Sequence, residues 1–559
     1  MGHKSFWWVL LIGASMASAS ADTLFTNGVI YTLDEQSSTV SRLCVSKSGR
    51  LKSLEACEPI QKIDLSGQVV IPGFVEGHGH LMGYGEAQLN LNLATAKNLG
   101  ELVAQVAEAV DKAEPGEWIL GRGWHQSKWN ETPKMVDGFQ TNETLNGISP
   151  DNPVYLKHAS GHAAFVNDRA LAIAGIDGKT QVAGDGEIIR DPSGRATGVL
   201  NERAQNLVSR FVPALSRSQR ERALDLALEG LARVGITSFQ DAGASQDDIR
   251  LYQAFLNEDR LTTRVYAMIT GGDSDMLADW MQRGPLIGAG DDKLTVRSIK
   301  LVADGALGSR GAWLLEPYSD RAGHSGLPTM PVAEMSDISH LAYRNGFQVA
   351  IHAIGDRANR EVLDIFDALF DGRDRGVRFR VEHAQHLHPE DIPRFGQLGV
   401  IPSMQGIHMS SDRPWAIDRL GAERIASGAY MWKSLIESGA VLVNGTDVPV
   451  EPVNPFASYY ALVTRMTLAG YPEGGFEPSE RLNRETALKT YTINPAFGAF
   501  EEALKGSLEP GKVADFIVLD RDLMTVAPAD IAETKVLMTV MNGAMIYKAD
   551  SAMFQPEAA

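Results

Sequence analysis

Eight apolar, strand-like runs recur between residues 69 and 444, and stretches of helical character lie between them. The first run passes through Val69, Val70, Ile71, Phe74 and Val75 to His78. The others are Gly235–Asp241, Arg264–Thr270, Val296–Ala303, Gln348–Ala353, Arg378–His383, Val400–Met404 and Val441–Asn444. Amphipathic segments such as Arg220–Val234 and Arg357–Phe370 separate them. Eight strands alternating with helices predict an α/β fold of the (β/α)8 TIM-barrel type, although an open doubly wound sheet shares the pattern.

Residues 22–72 read differently, as short strands and turns. Thr23–Tyr31 alternates around an Asn27-Gly28 turn signal, and Ser46–Arg50 has the character of a hairpin tip. Residues 507–548 read the same way, with strands at Ala514–Leu519 and Val536–Met541. Segments 22–72 and 500–550 together predict one composite β-sandwich domain built from both ends of the chain, around a barrel spanning 73–499. The interval from about 90 to 215 is too long for one crossover and predicts an inserted subdomain over the barrel mouth. The Pro/Glu/Ala tail after Met553 is expected to fray.

The runs end in chemically unusual residues. His78 and His80 sit at i and i+2 on an extended segment, which turns both imidazoles to one side. Lys300 lies in the fourth run, His352 ends the fifth, His383 ends the sixth, and Asp447 closely follows the eighth. Active sites of such barrels gather at the C-terminal ends of the strands. Four imidazoles and a carboxylate there suit zinc or a similar divalent ion. Such an ion acidifies water and polarises a carbonyl, and a neighbouring carboxylate can move the proton to a leaving nitrogen. Hydrolysis of a C–N bond is the chemistry this set predicts, against the alternative that each histidine is a hydrogen-bonded structural residue.

Bulk properties narrow the partners. The formal net charge of −18 repels phosphate, which argues against nucleic acid and anionic membranes and leaves a small molecule as the expected substrate. Lys4, an apolar stretch from Phe6 to about Ala17, and Ala19-Ser20-Ala21 fit a cleaved signal peptide over residues 1–21. The expectation is export to the periplasm or beyond, without stable membrane insertion; an uncleaved anchor is the alternative. Cys44 and Cys57, the only cysteines, form either a disulfide or two buried thiols.

Four stretches carry a resemblance: Ile71–His80, Lys300–Arg310, His352–Asn359, and Gly506–Leu508 with Gly511–Asp515. With these the chain resembles the amidohydrolase superfamily, in its family 3 (YtcJ-like) branch. The resemblance implies a metal-bearing barrel with a composite sandwich. It implies that His78, His80 and Asp447 hold one ion, that His352 and His383 hold a second, and that Lys300 bridges them as a carboxylated lysine. Desolvation favours the neutral amine that captures carbon dioxide; the alternative for Lys300 is an ion pair with a buried acid such as Asp304, and a single ion. Asp447 is the expected general base. Gly121–His125 and Ser160–Ala163 resemble family segments near the substrate, which makes Trp124 and His162 candidate substrate contacts, with packing inside the insertion as the alternative. His408 is a weaker candidate.

Three functions compete. The first is a metal-dependent hydrolase of non-peptide, amide-type C–N bonds. The second is a deaminase; deaminating relatives often carry glutamate three residues after the fifth-strand histidine, where this chain has Gly355. The third is a non-catalytic binding or sensor protein on the same barrel. No Gly-x-Ser-x-Gly elbow or P-loop ending occurs.

Overall fold

The computed structural model describes residues 22–182, 186–373, 375–550, 552 and 554–557. The candidate signal peptide lies outside the described residues. Among them, no helix is long and apolar enough to cross a membrane.

The central sheet is a barrel of eight parallel strands. In chain order they are β1 (Phe74–Gly79), β2 (Ile236–Ala244), β3 (Arg264–Thr270), β4 (Leu294–Val302), β5 (Gln348–Ala353), β6 (Arg380–His383), β7 (Ile401–Met404) and β8 (Val443–Asn444). Each strand pairs in parallel with its sequence neighbours from β1 to β8. The expected closed arrangement is therefore the one found, and the open sheet is not. Strands β3 and β5 have the predicted bounds, because their apolar runs are flanked on both sides by turn-forming residues.

The barrel closes between β8 and β1 without a regular ladder. Gly77 makes this possible: a Cβ there would lie 2.4 Å from the Asn444 carbonyl oxygen. Beyond the strand ends the seam is stitched by backbone. Asp447 N–H donates to His78 O at 2.8 Å, and His80 N–H donates to Val448 O at 2.8 Å.

Two further sheets come from the chain's ends. Asp22–Thr26, Leu43–Val45, Leu51–Lys52, Pro59–Asp64 and Gln555–Glu557 form one. Val29–Tyr31, Thr39–Val40, Val69–Pro72, Phe516–Leu519, Val536–Met541 and Ala544–Lys548 form the other. Phe25, Ile30, Val45, Val70, Phe516 and Val540 belong to one buried cluster shared by the two sheets. The Asn27-Gly28 turn is found where expected: Asn27 adopts a left-handed φ of 54°, and the strands on either side of it join different sheets. One expectation is corrected here. The tail does not simply fray: Gln555–Glu557 pairs antiparallel with Pro59–Asp64. Cys44 and Cys57 form a disulfide with Cα atoms 6.0 Å apart, so the thiol alternative falls.

The insertion lies between helices Leu81–Leu89 and Arg217–Arg233. Its mixed six-stranded sheet includes Ile119–Trp124, Val154–His158 and Ala163–Val166. Apolar clusters around Leu156 and Phe165 and around Tyr155 and Leu200 hold it together.

Candidate metal centre and cavity

β1 delivers His78 and, at the first residue past its end, His80. Helix Leu81–Leu89 starts there, and its first N–H is taken by Asp241 of β2 at 3.0 Å. His78 and His80 turn their Nε2 atoms to Asp447 Oδ1, at 3.5 and 3.2 Å. Their ligand atoms and that of Asp447 lie within 4.8 Å of one another. His78 is oriented from behind. Its Nδ1 meets the Glu382 carboxylate, which accepts from Arg380 Nε at 2.6 Å and Nη2 at 3.1 Å. Arg380 also donates to Gly77 O at 2.7 Å and Ser403 Oγ at 2.8 Å. His78, Glu382 and Arg380 are fully buried. A histidine fixed through Nδ1 by a carboxylate presents Nε2 as its ligand atom.

His352 and His383, from neighbouring strand ends, pack with ring centres 4.5 Å apart. His383 Nδ1 bonds Gln405 Oε1 at 2.7 Å, which frees its Nε2. His352 Nε2 stands 3.4 Å from Asp304 Oδ1. Asp304 itself accepts from the backbone N–H groups of Trp313, Ile354 and Gly355 at 2.8–3.0 Å. Lys300 is buried at the cavity floor, and among the described residues it has no carboxylate within 4.0 Å. The alternative Lys300–Asp304 ion pair is therefore not formed.

Burial sets the protonation of the cluster. It pushes His78 down to about 4, with Lys300 adding to the effect, and holds His352 and His383 well below the usual histidine range. These imidazoles are neutral, which is their ligating form. Burial opposes charge on Asp447, but the His80 imidazole 3.2 Å away outweighs it and holds the carboxyl well below the usual range. Burial also lowers Lys300, against Glu382 and Asp447.

The cluster fits a divalent cation. His78 Nε2, His352 Nε2, His408 Nε2 and Asp447 Oδ1 are buried without a hydrogen-bond partner, although buried polar atoms are ordinarily satisfied. Neutral nitrogen and carboxylate oxygen make a donor set that zinc accepts. Two of the residues are also held in strained backbone: His383 has φ 75° and Asp447 φ 58°.

A cavity of about 780 Å³ opens above the cluster, between barrel and insertion. His162 lines it, with its ring 5.6 Å from that of His352 and its Nδ1 2.8 Å from Glu202 Oε2. Burial opposes charge on His162, but Glu202 outweighs it and the pKa rises. Trp124 does not reach the cavity. It is fully buried in the insertion, donates to Leu156 O at 2.8 Å and packs on Phe165. The cause is local: pairing shifts register between Arg122 and Trp124, and Gly123 between them has φ 109°. Arg122 and His125 line the cavity instead. Arg122 donates to Ala159 O at 2.8 Å, leaves its Nε without an acceptor, and has no carboxylate within 4.0 Å among the described residues.

Glu382, Arg380, Glu202 and Arg122 are assigned no role by the sequence, and His408 only that of a weaker candidate. For the first two a signal existed, since Arg380 and Glu382 alternate on one face of a short β6. Charges on the inward face of a barrel strand need partners.

A family model described as "Amidohydrolase family" matches residues 61–547. The YtcJ amidohydrolase sequence of Bacillus subtilis (strain 168) is 30% identical, covering 94% of this chain and 99% of its own length. An N-substituted formamide deformylase of Arthrobacter pascens is 27% identical, covering 94% and 98%. The crystal structure of an uncharacterized metal-dependent hydrolase from Pyrococcus horikoshii OT3 superposes with a TM-score of 0.72 at 29% identity, covering 91% of this chain and 99% of that one. With its parallel barrel and its cluster of metal-ligating groups, this chain belongs to the amidohydrolase family.

Proposed function

We propose that this hydrolase cleaves a non-peptide, amide-type C–N bond in a small molecule, with Asp447 as general base. The observation that carries the reading is the set of unpartnered ligand atoms on His78, His352 and Asp447, the last two lining the cavity. His78, His80 and Asp447, together with His352, His383 and a carboxylated Lys300, would hold one or two divalent ions, zinc by the chemistry of the donors. When bound, such an ion polarises a carbonyl and acidifies water.

The chain's own residues do the rest. Asp447, held ionised, takes the proton of the attacking water and passes it to the leaving nitrogen. His162, whose pKa Glu202 raises against burial, offers a hydrogen-bond donor to the developing oxyanion. The formamide deformylase among the relatives supports an amide substrate. The deaminase reading is disfavoured by Gly355, where a Cβ would sit 2.0 Å from Trp313 O, so no glutamate fits. The Cys44–Cys57 disulfide supports export to an oxidising compartment such as the periplasm.

The test is a screen of purified protein against N-acyl amino acids, formamides and cyclic amides, before and after chelation. Hydrolysis that is lost on chelation and returns with zinc, manganese or cobalt is expected. Protein that binds no ion and stays inert in every condition overturns the reading, as does ligand binding without turnover in wild type and Asp447→Asn alike.

A further inference from the structure

Asp447 belongs to two triads. The first, with His78 and His80, is the one the sequence led to. The second is His383, His408 and Asp447, all buried, with ligand atoms again within 4.8 Å of one another. His408 reaches the cluster from the first turn of helix Gly406–Leu420, which follows β7.

His408 is held firmly. Gly406 N–H donates to Asn444 Oδ1 at 3.0 Å and Ile407 N–H to Ser458 Oγ at 3.1 Å, which docks the start of this helix on β8 and on helix Pro455–Thr464. Gln405, three residues before His408, orients His383 through its Nδ1. One short segment thus sets both imidazoles. The His408 Nε2 is buried and unpartnered. It stands 3.9 Å from Asp447 Oδ2, too far for a hydrogen bond. The His383 and His408 rings are nearly coplanar in orientation, 16° apart, with centres separated by 6.1 Å. His352 is outside this triad, with its Nε2 toward Asp304.

The geometry points to a second cation position bounded by His383, His408 and Asp447, in which His408 Nε2 is a metal ligand contributed after β7. This inference rests on the metal-centre reading above. A substrate-facing role for His408 is the competing outcome.

The experiment compares wild type, His408→Gln and His408→Asn, each stripped with dipicolinate and reloaded with zinc or cobalt. Bound metal is counted by mass spectrometry, affinity is measured by competition with a chromophoric chelator, and the cobalt d–d absorption is recorded. Two variants guard against one failing to fold, and circular dichroism shows which are native. Two equivalents in wild type are expected, with one lost or bound at least tenfold more weakly in the native variants, and an altered cobalt spectrum. Unchanged stoichiometry, affinity and spectrum in the variants overturn the inference even if hydrolysis falls, as does a wild type that binds only one equivalent. A wild type that binds no metal overturns the metal-centre reading itself.

Discussion

The backbone N–H of Asp447 donates to the carbonyl oxygen of His78 across 2.8 Å, so one bond both closes the barrel wall and sets the spacing of two candidate metal ligands. The ligand pair is as rigid as the seam. Its histidine is braced from the far side by Glu382 and Arg380.

Asp447→Asn preserves size and the seam bond but removes the carboxylate charge. Hydrolysis is expected to fall by about 10²–10⁴-fold, the usual range for loss of a positioned base. The far-ultraviolet spectrum should be unchanged. Steady-state kinetics on any amide the wild type cleaves will measure it.

Arg380→Met leaves the Glu382 carboxylate buried without its cation. Breaking a buried pair from one side costs about 3–5 kcal/mol, which urea unfolding will show. Glu382→Gln should instead weaken metal binding by about 10–100-fold, because the carboxylate that orients His78 is lost.

Arg122→Met tests what the cavity recognises. An unpaired guanidinium favours substrates carrying a carboxylate. KM for N-acyl phenylalanine is expected to rise about tenfold, equivalent to about 1.4 kcal/mol, with the matched N-acyl phenethylamine unaffected. Equal effects on both amides would count against this role.

Replacing Cys44 and Cys57 together by serine opens a link between residues 13 apart. The expected cost is about 3 kcal/mol. Neither cysteine lines the cavity, so kcat should stay at the wild-type value while the melting temperature drops.

Gly355→Ala forces a Cβ to within 2.0 Å of Trp313 O. Overpacking of this kind costs about 1–3 kcal/mol, read as a lower melting temperature. Gly355→Glu should gain no deaminase activity.

Much of the barrel was legible because strand identity is a local property. Arg264–Thr270 and Gln348–Ala353 are apolar runs with clear ends, and they form with the expected bounds. The eighth strand is shorter than its apolar run, Val443–Asn444 against Val441–Asn444. Trp124 went astray at a break in strand pairing. Alternation places Arg122 and Trp124 on one face, but the register shift at Gly123 turns one to the cavity and the other to the core.

By itself the sequence determined that eight strands alternate with helices and that histidines, Lys300 and Asp447 stand at or near their ends, because residue type and period are written locally. Only the tertiary structure decided which of these side chains meet. Asp447 reaches His78 across the seam, Arg380 and Glu382 brace His78 from β6, and His408 joins His383 after β7. Those juxtapositions depend on barrel closure and register, which arise from contacts hundreds of residues apart and leave no periodic trace in the chain.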